Sequence, residues 1–262
     1  MMAEINGNPV TMSDLQSLAL VNFGHFTSMR MDENQRVRGL DLHLERLRRD
    51  CRAVFDAELD RDRILHCVRH AVGDTAGPAV IRVTVFDPQL EMGHPGSDAD
   101  PHLLVTMRPA GAMPPPPLAV RSFDFSRDAA EVKHVGLFSQ LRLRRLAQRS
   151  GADDALFVES DGRISEGGTW NVGFVGADGT VIWPEAPVLP GVTMRLLQEA
   201  HPQTTTAPVT LADLPQMRAA FATNTSIGVR PISLIDDHAF NPDDSVLSEL
   251  QKRYLAIEGE QL

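Results

Sequence analysis

Two segments of the chain place apolar residues at helical spacing. Residues 41–55 have Leu, Cys, Val and Phe three or four positions apart among arginines and acids, and residues 137–149 repeat leucines similarly before a Ser-Gly pair. This spacing puts the apolar side chains on one face, so both segments are predicted to be amphipathic helices. A third helix is predicted over residues 193–200, just after Gly191.

Runs of branched and apolar residues, bounded by Pro, Gly or Asp, predict strands. They cover residues 79–86, 102–107 and 118–123. Branched and aromatic side chains pack well on a pleated sheet, whereas Pro and Gly end it. Strands and helices are thus mixed along the chain, and the predicted fold class is α+β.

A hairpin is predicted around the pair Asp161-Gly162, which is typical of a tight turn. Residues 155–158 precede this turn and residues 170–175 follow it, and both runs read as strands. We expect the second strand of this hairpin to contain Glu166.

A run of prolines is the one compositional break. It follows Met113, and prolines favour extended geometry and donate no hydrogen bonds to a sheet. We predict a small N-terminal α+β domain over residues 1–112, a proline-rich linker over 113–117 and a large C-terminal α+β domain over 118–262. A length of 262 residues and a hydrophobic content of 42% suffice for two such domains.

Charge and cysteine content narrow the function classes. A net charge of −10 repels nucleic acid, so a function that acts on small molecules is favoured. Cys51 and Cys67 form no disulfide framework and are expected to be reduced. The N-terminus lacks a basic region followed by an apolar run, no membrane-length apolar stretch occurs, and the histidines lack metal-ligand spacing. We expect a cytoplasmic protein with no metal site and no membrane or nucleic-acid partner.

Three chemical groups follow one another in the second half of the chain. Lys133 supplies an amine, Glu166 supplies a carboxylate within the motif Ile-Ser-Glu-Gly-Gly-Thr-Trp-Asn, and the turn Leu-Pro-Gly-Val-Thr at 189–193 supplies backbone donors. A carbonyl cofactor such as pyridoxal phosphate needs an amine for the Schiff base, a carboxylate for its pyridine nitrogen and donors for its phosphate.

The same motifs resemble those of the class IV aminotransferases, the fold-type IV pyridoxal-phosphate enzymes. The resemblance rests on Lys-His-Val-Gly at 133–136, Glu-Gly-Gly-Thr-Trp-Asn at 166–171 and Leu-Pro-Gly-Val-Thr at 189–193, and it extends over nearly the whole chain. It implies a two-domain α+β fold of the D-amino acid aminotransferase type, with the cofactor between the domains, and a homodimer.

The resemblance also implies residue roles. Lys133 would be the Schiff-base lysine and the proton carrier, although alone it would pass for a surface lysine. Glu166 would face the pyridine nitrogen rather than solvent. Arg46, in a His-x-x-Arg-Leu element on a helix rich in arginine, would contact the cofactor phosphate. The remaining cofactor-binding residues implied are Asn171, Leu189 against the ring, and Val192, Thr193, Thr225 and Ser226 around the phosphate.

The substrate side departs from the aminotransferase pattern. Phe26 and Thr27 stand where many of these enzymes have a Tyr-Glu pair, and a Phe-Thr pair resembles aminodeoxychorismate lyase. Arg82 either faces solvent or binds a substrate carboxylate, as a similarly placed arginine does in branched-chain enzymes. Met194 stands where the family usually has arginine, with Arg195 one place later.

We therefore expect a pyridoxal-phosphate-dependent aminotransferase that moves an amino group between an amino acid and a 2-oxo acid. The alternative is an aminodeoxychorismate lyase that forms 4-aminobenzoate and pyruvate with the same lysine. A third hypothesis is a cofactor-free binding or scaffold protein that retains the fold, which only the departures at Phe26, Thr27 and Met194 support.

Overall fold

A computed structural model describes residues 2–113 and 115–262 of the chain. Its internal contacts define two compact units. The first comprises Met1–Gly111, Val132–Gly136 and Glu258–Leu262, and the second comprises Ala112–Glu131 and Leu137–Ile257. Domain limits at 1–112, 113–117 and 118–262 remain a prediction, and Pro114 of the predicted linker lies outside the described residues.

The first unit is a seven-stranded antiparallel sheet with helices packed on it. Its elements in chain order are β1 Met2–Ile5, β2 Asn8–Pro9, α1 Gln16–Leu20, β3 His25–Met31, β4 Arg36–Val37, α2 Leu40–Phe55, α3 Arg61–Val72, β5 Ala79–Phe86, β6 His102–Pro109 and, from the end of the chain, β16 Glu260–Gln261. The strand order is β16-β4-β3-β5-β6-β1-β2.

Helices α2 and α3 form the core of this unit with the sheet. Leu44 and Leu47 of α2 and Ile64 and Val68 of α3 are fully or almost fully buried in one cluster with the sheet residue Ile81. The apolar face of each helix is therefore buried against the same face of the sheet. The predicted helix over residues 41–55 and strand over 79–86 match α2 and β5.

The second unit is built on a larger mixed sheet. Its elements are β7 Leu118–Asp124, α4 Phe138–Arg149, β8 Asp154–Val158, β9 Ile164–Gly167, β10 Asn171–Gly176, β11 Val181–Pro184, α5 Val192–Ala200, β12 Thr204–Ala207, a 3-10 turn at Leu211–Gln216, β13 Met217–Asn224, β14 Gly228–Ile235, β15 His238–Ala239 and α6 Ser245–Ala256.

Six strands of this sheet close into a ring. The pairing runs β10-β13-β14-β7-β8-β9, and β9 returns to β10 through the single pair Glu166 and Asn171. Strands β8, β9 and β10 are buried along their whole length, which suits a sheet covered on both faces. Two residues singled out in the sequence thus lie where the ring closes.

The predicted hairpin is wrong in one respect. The partner of β8 across the Asp161-Gly162 turn is β9, which contains Glu166, whereas residues 170–175 lie mostly in β10. A further turn at Gly168 and Thr169 separates the two strands. A Cβ on Gly167 would lie only 2.1 Å from Cε2 of the Trp170 ring. Only glycine therefore fits at the start of this second turn.

No helix in the described part of the chain combines the length and the apolar character needed to cross a lipid bilayer.

Candidate active site

Lys133 lies on a short extended segment that pairs with the start of β3. Its carbonyl accepts a hydrogen bond from Phe26 N at 2.8 Å, and Val135 N donates to the Gly24 carbonyl at 2.9 Å. On its other side, Lys133 N donates to Asp50 Oδ2 at 3.0 Å. Both peptide groups of Lys133 are therefore held within the first unit.

The ring of Phe26 lies beside two cationic groups. Lys133 Nζ is 4.8 Å from the ring centroid, and the Arg82 guanidinium carbon is 3.6 Å from it. Arg82 also donates to Thr84 Oγ1 at 3.2 Å, and desolvation lowers the pKa of its guanidinium. Three predicted site residues, Phe26, Arg82 and Lys133, are thus brought together.

A buried network joins Thr27, His43 and Arg46. Thr27 Oγ1 lies 2.7 Å from His43 Nδ1, and Arg46 Nη2 donates to Thr27 Oγ1 at 2.7 Å and approaches His43 Nδ1 at 3.1 Å. Burial, then the charges of Arg46 and Lys133, keep the pKa of His43 well below its usual value. The neutral imidazole can then accept at Nδ1, which fixes the end of the Arg46 side chain.

In the second unit, Glu166 is almost fully buried and is fixed by several donors. Arg127 Nη1 donates to Oε1 at 2.8 Å, and Leu189 N donates to Oε2 at 3.2 Å. Asn171 Nδ2 lies 3.5 Å from Oε2 and donates to the Leu189 carbonyl at 2.8 Å. Because a buried carboxylate is costly without such partners, these contacts both orient Glu166 and stabilise its negative charge.

The start of α5 has the features of an anion site. Gly191 precedes it without a side-chain cap, and a Cβ on Gly191 would lie 2.0 Å from Asn171 Oδ1. The buried hydroxyl of Thr193 has no hydrogen-bond partner among the described residues. Val192 is buried beside it. The first N–H groups of a helix lack partners within the helix, so backbone donors and a hydroxyl are available together.

The second predicted phosphate segment is a turn after β13. Ser226 N donates to Asn224 Oδ1 at 2.8 Å, while Thr225 and Ser226 are both partly buried. Just before them, Thr223 Oγ1 is buried and has no partner in the described structure. Thr223 was not predicted as a site residue.

Three further residues were missed in the sequence: Arg127, His43 and Asp50. His43 lies in the His-x-x-Arg-Leu element and could have been found there. Arg127 and Asp50 are separated from Glu166 and Lys133 by 39 and 83 positions. Long-range hydrogen bonds of this kind leave no periodic signal, so the sequence gives no indication of them.

Comparison with known proteins places these features in a family. The sequence profile described as amino-transferase class IV matches residues 24–235, which is most of the chain. The chain belongs to the class IV aminotransferase family. This family consists of pyridoxal-phosphate enzymes, so the predictions of family, enzyme class and cofactor are confirmed.

Solved structures of aminotransferases share the fold. The branched-chain amino acid aminotransferase of Escherichia coli has a TM-score of 0.86 and 18% identity, over 100% of this chain and 95% of that chain. The branched-chain aminotransferase of Thermoproteus uzoniensis with norvaline has a TM-score of 0.85 and 20% identity, over 97% and 93%. A hypothetical aminotransferase from Mycobacterium tuberculosis, in an α-ketoglutarate and PMP bound form, has a TM-score of 0.83 and 18% identity, over 98% of each chain.

At these identities the likeness concerns the fold, and it confirms the predicted fold-type IV α+β class. No curated protein matches the chain in sequence comparison.

The residues of this class IV family member fit pyridoxal phosphate. The unpartnered hydroxyls of Thr193 and Thr223 and the uncapped start of α5 suit a phosphate group. Glu166, with its charge stabilised by Arg127, suits a protonated ring nitrogen. Lys133 supplies the amine.

The buried His25 predicts an acid-sensitive stability. Desolvation lowers its pKa to about 4, while Asp50 opposes and Arg49 adds to this shift. Between pH 6.5 and 4 the unfolded chain therefore binds more protons at this residue than the folded protein does. The contribution of His25 to the free energy of unfolding is therefore fully present above pH 6.5. About 3 kcal/mol of it is lost as the pH falls through 4.

We expect His25→Leu to flatten the fall in unfolding free energy between pH 6.5 and 4, measured by urea denaturation at successive pH values. A variant with the wild-type slope in this range would contradict the assignment.

The ion pair of Arg127 and Glu166 predicts a coupled stability. Both side chains are more than nine-tenths buried, so Arg127→Met should destabilise the protein by about 3 kcal/mol because it removes an ionic partner of a buried carboxylate. Adding Glu166→Gln should recover part of that loss. Thermal and urea unfolding of the single and double variants measure both effects.

The matched control is Arg163→Met, which breaks a more exposed pair with Asp161. It should cost less than about 1 kcal/mol. Equal losses of unfolding free energy in Arg127→Met and Arg163→Met would show that the buried pair stabilises the protein no more than the exposed pair does.

Proposed function

We propose that this enzyme transfers an amino group between an amino acid and a 2-oxo acid in two half-reactions, with Lys133 as the proton carrier. The observation that best supports this is the fixed peptide of Lys133, held by Phe26 N and Asp50 Oδ2. The chain's other lysine, Lys252, is exposed on α6. When bound, pyridoxal phosphate supplies a carbonyl that condenses with amines and a ring that accepts electrons.

Lys133 would act as the general base of the first half-reaction. Its Nζ would take up the proton that the amino acid loses from Cα, and it would deliver a proton to Cα when the second half-reaction runs in reverse on the 2-oxo acid. A lysine whose backbone is anchored loses little freedom when it reaches the reacting carbon, which favours proton transfer.

Glu166 would hold a proton on the pyridine nitrogen. Its carboxylate is oriented by Arg127, by Leu189 N and by Asn171, so its position does not have to change when charge develops on the ring. Leu189 would pack against the ring, and Asn171 would keep Leu189 and Glu166 in register.

The phosphate would be bound by a guanidinium, backbone donors and hydroxyls. Arg46 is oriented by Thr27 and His43, and Val192 and Thr193 begin α5. We assign the same role to Thr225 and Ser226. An arginine that already has a fixed planar fork matches the oxygens of a phosphate.

The substrate would meet Phe26, Thr27 and Arg82. Arg82 forms no ion pair with a carboxylate among the residues described, and its guanidinium lies over the Phe26 ring. A half-buried guanidinium of this kind is suited to a substrate carboxylate. The Mycobacterium tuberculosis structure contains α-ketoglutarate, a 2-oxo acid, which supports this substrate class.

The proposal extends to assembly and location. We propose a homodimer, on the family resemblance alone, and light scattering that gives the mass of one chain would contradict it. A cytoplasmic location suits the two free thiols of Cys51 and Cys67, because a reducing compartment keeps cysteines unpaired.

Lys133 provides the direct test. Incubation with pyridoxal phosphate, borohydride reduction and peptide mass mapping should find the cofactor adduct on Lys133. Lys133→Ala should lose that adduct and at least about a thousandfold in amino-transfer rate, because it removes the general base and the attachment point together.

Lys252→Ala is the matched control, since it removes the only other lysine, and it should keep both adduct and rate. An adduct at Lys252 alone, or full activity in Lys133→Ala, would refute the assignment.

The reaction itself is decided by two assays. Keto acid formed from L- or D-amino acids with 2-oxoglutarate supports amino transfer. Formation of 4-aminobenzoate from 4-amino-4-deoxychorismate would establish the lyase alternative, which the structural comparisons do not favour. A protein that takes up no pyridoxal phosphate would instead be a scaffold.

A further inference from the structure

Asp50 is a fully buried carboxylate in the interior of α2. Its Oδ1 accepts from Nε and Nη2 of the neighbouring Arg49, at 3.0 and 2.7 Å. Its Oδ2 accepts from the backbone N–H of Lys133, which is 83 positions away in sequence. One carboxylate thus links the helix to the segment that contains the lysine.

Helix formation and core packing do not account for Asp50. Asp is a weaker helix former than the Leu or Ala that the same position would accept, and burying a carboxylate costs free energy unless it is paired. Its ionic partner Arg49 has a side chain that is 40% exposed, so water weakens that attraction. The remaining gain is the charged hydrogen bond to Lys133 N.

The neighbouring His25 does not compete with Lys133 for the Asp50 carboxylate. The ring of His25 is buried close to Asp50, and desolvation lowers the pKa of His25 to about 4, so His25 is neutral near pH 7. It therefore places no positive charge beside Asp50. Among the described contacts, the Asp50 carboxylate is bound by Arg49 on α2 and by the backbone N–H of Lys133.

The anchoring of Lys133 has two sides. The Lys133 carbonyl accepts a strand-like hydrogen bond from Phe26 N, and the Lys133 N–H donates to the Asp50 carboxylate on α2. A backbone held by one side only can rotate about that contact, whereas one held on both sides has a fixed Cα. The direction in which the lysine side chain leaves the backbone is then fixed as well.

We propose that Asp50 is a positioning residue for Lys133: its buried carboxylate holds the Lys133 peptide and so sets the starting point of the reactive amine. This inference rests on the proposed function of Lys133. Asp50 acts through the peptide and touches neither substrate nor cofactor.

The first test uses hydrogen exchange of the protein without added cofactor, followed by mass spectrometry. Asp50→Ala should raise the exchange rate of the Lys133 amide at least about tenfold, because it removes a charge-assisted acceptor. Asp50→Asn has the same size and retains one acceptor oxygen, so it should fold and show a smaller rise of about threefold. Amides in the rest of α2 and β3 should keep their wild-type rates.

The matched control is Asp41→Asn, which neutralises an exposed acid on the same helix, paired with Arg61. It should leave the Lys133 amide as in the wild type. Unchanged exchange at Lys133 in both Asp50 variants would overturn the proposal. An equal rise throughout α2 and β3 would also overturn it, since Asp50 would then support the fold in general.

A second measurement separates this proposal from the assignment of Lys133 itself. In Asp50→Asn, the rate of borohydride-trapped adduct formation at Lys133 should fall at least about tenfold while trapping at the exposed Lys252 stays constant. If wild-type protein forms no adduct at Lys133, the proposed function fails, yet the exchange result still reports on the peptide contact. If the adduct forms equally fast in wild type and Asp50→Asn, the positioning role fails and the function stands.

Discussion

Buried charge must be paired or hydrogen-bonded, and this constraint fixes the charged groups in and around the candidate site. Asp50, Glu166 and Arg46 are all buried side chains that would destabilise the fold if they stood alone. Each is held by neighbours: Asp50 by Arg49 and the Lys133 peptide, Glu166 by Arg127, and Arg46 by Thr27 and His43. The contacts that make these charges tolerable also fix their direction.

Each unit of the protein contains some of the residues of the proposed site. The first holds the amine, the arginine of the His-x-x-Arg-Leu element and the aromatic ring of Phe26. The second holds the carboxylate and the uncapped start of α5. This division does not follow the chain, because the segment Val132–Gly136, which contains Lys133, packs with the N-terminal residues although it lies after the prolines.

The sequence predicted local structure well and long-range contacts poorly. Helix α2 and strand β5 have strong apolar periodicity, and β5 has the predicted limits. The hairpin around Gly162 was assigned the wrong second strand because β9 has only four residues and a second turn follows at once. Glu166, Asn171 and Leu189 lie within one stretch of chain, so a motif could identify them. Arg127 and Asp50 contact their partners only in the folded protein, and the spacing of residues along the chain does not predict such contacts.

The closed ring of the second sheet limits strand addition by another chain. Its six strands have neighbours on both sides, and beyond the ring the described sheet ends at β12, of four residues, and β15, of two. Since strand addition needs a long run of unpaired backbone groups, such short edges protect this sheet against amyloid-like stacking.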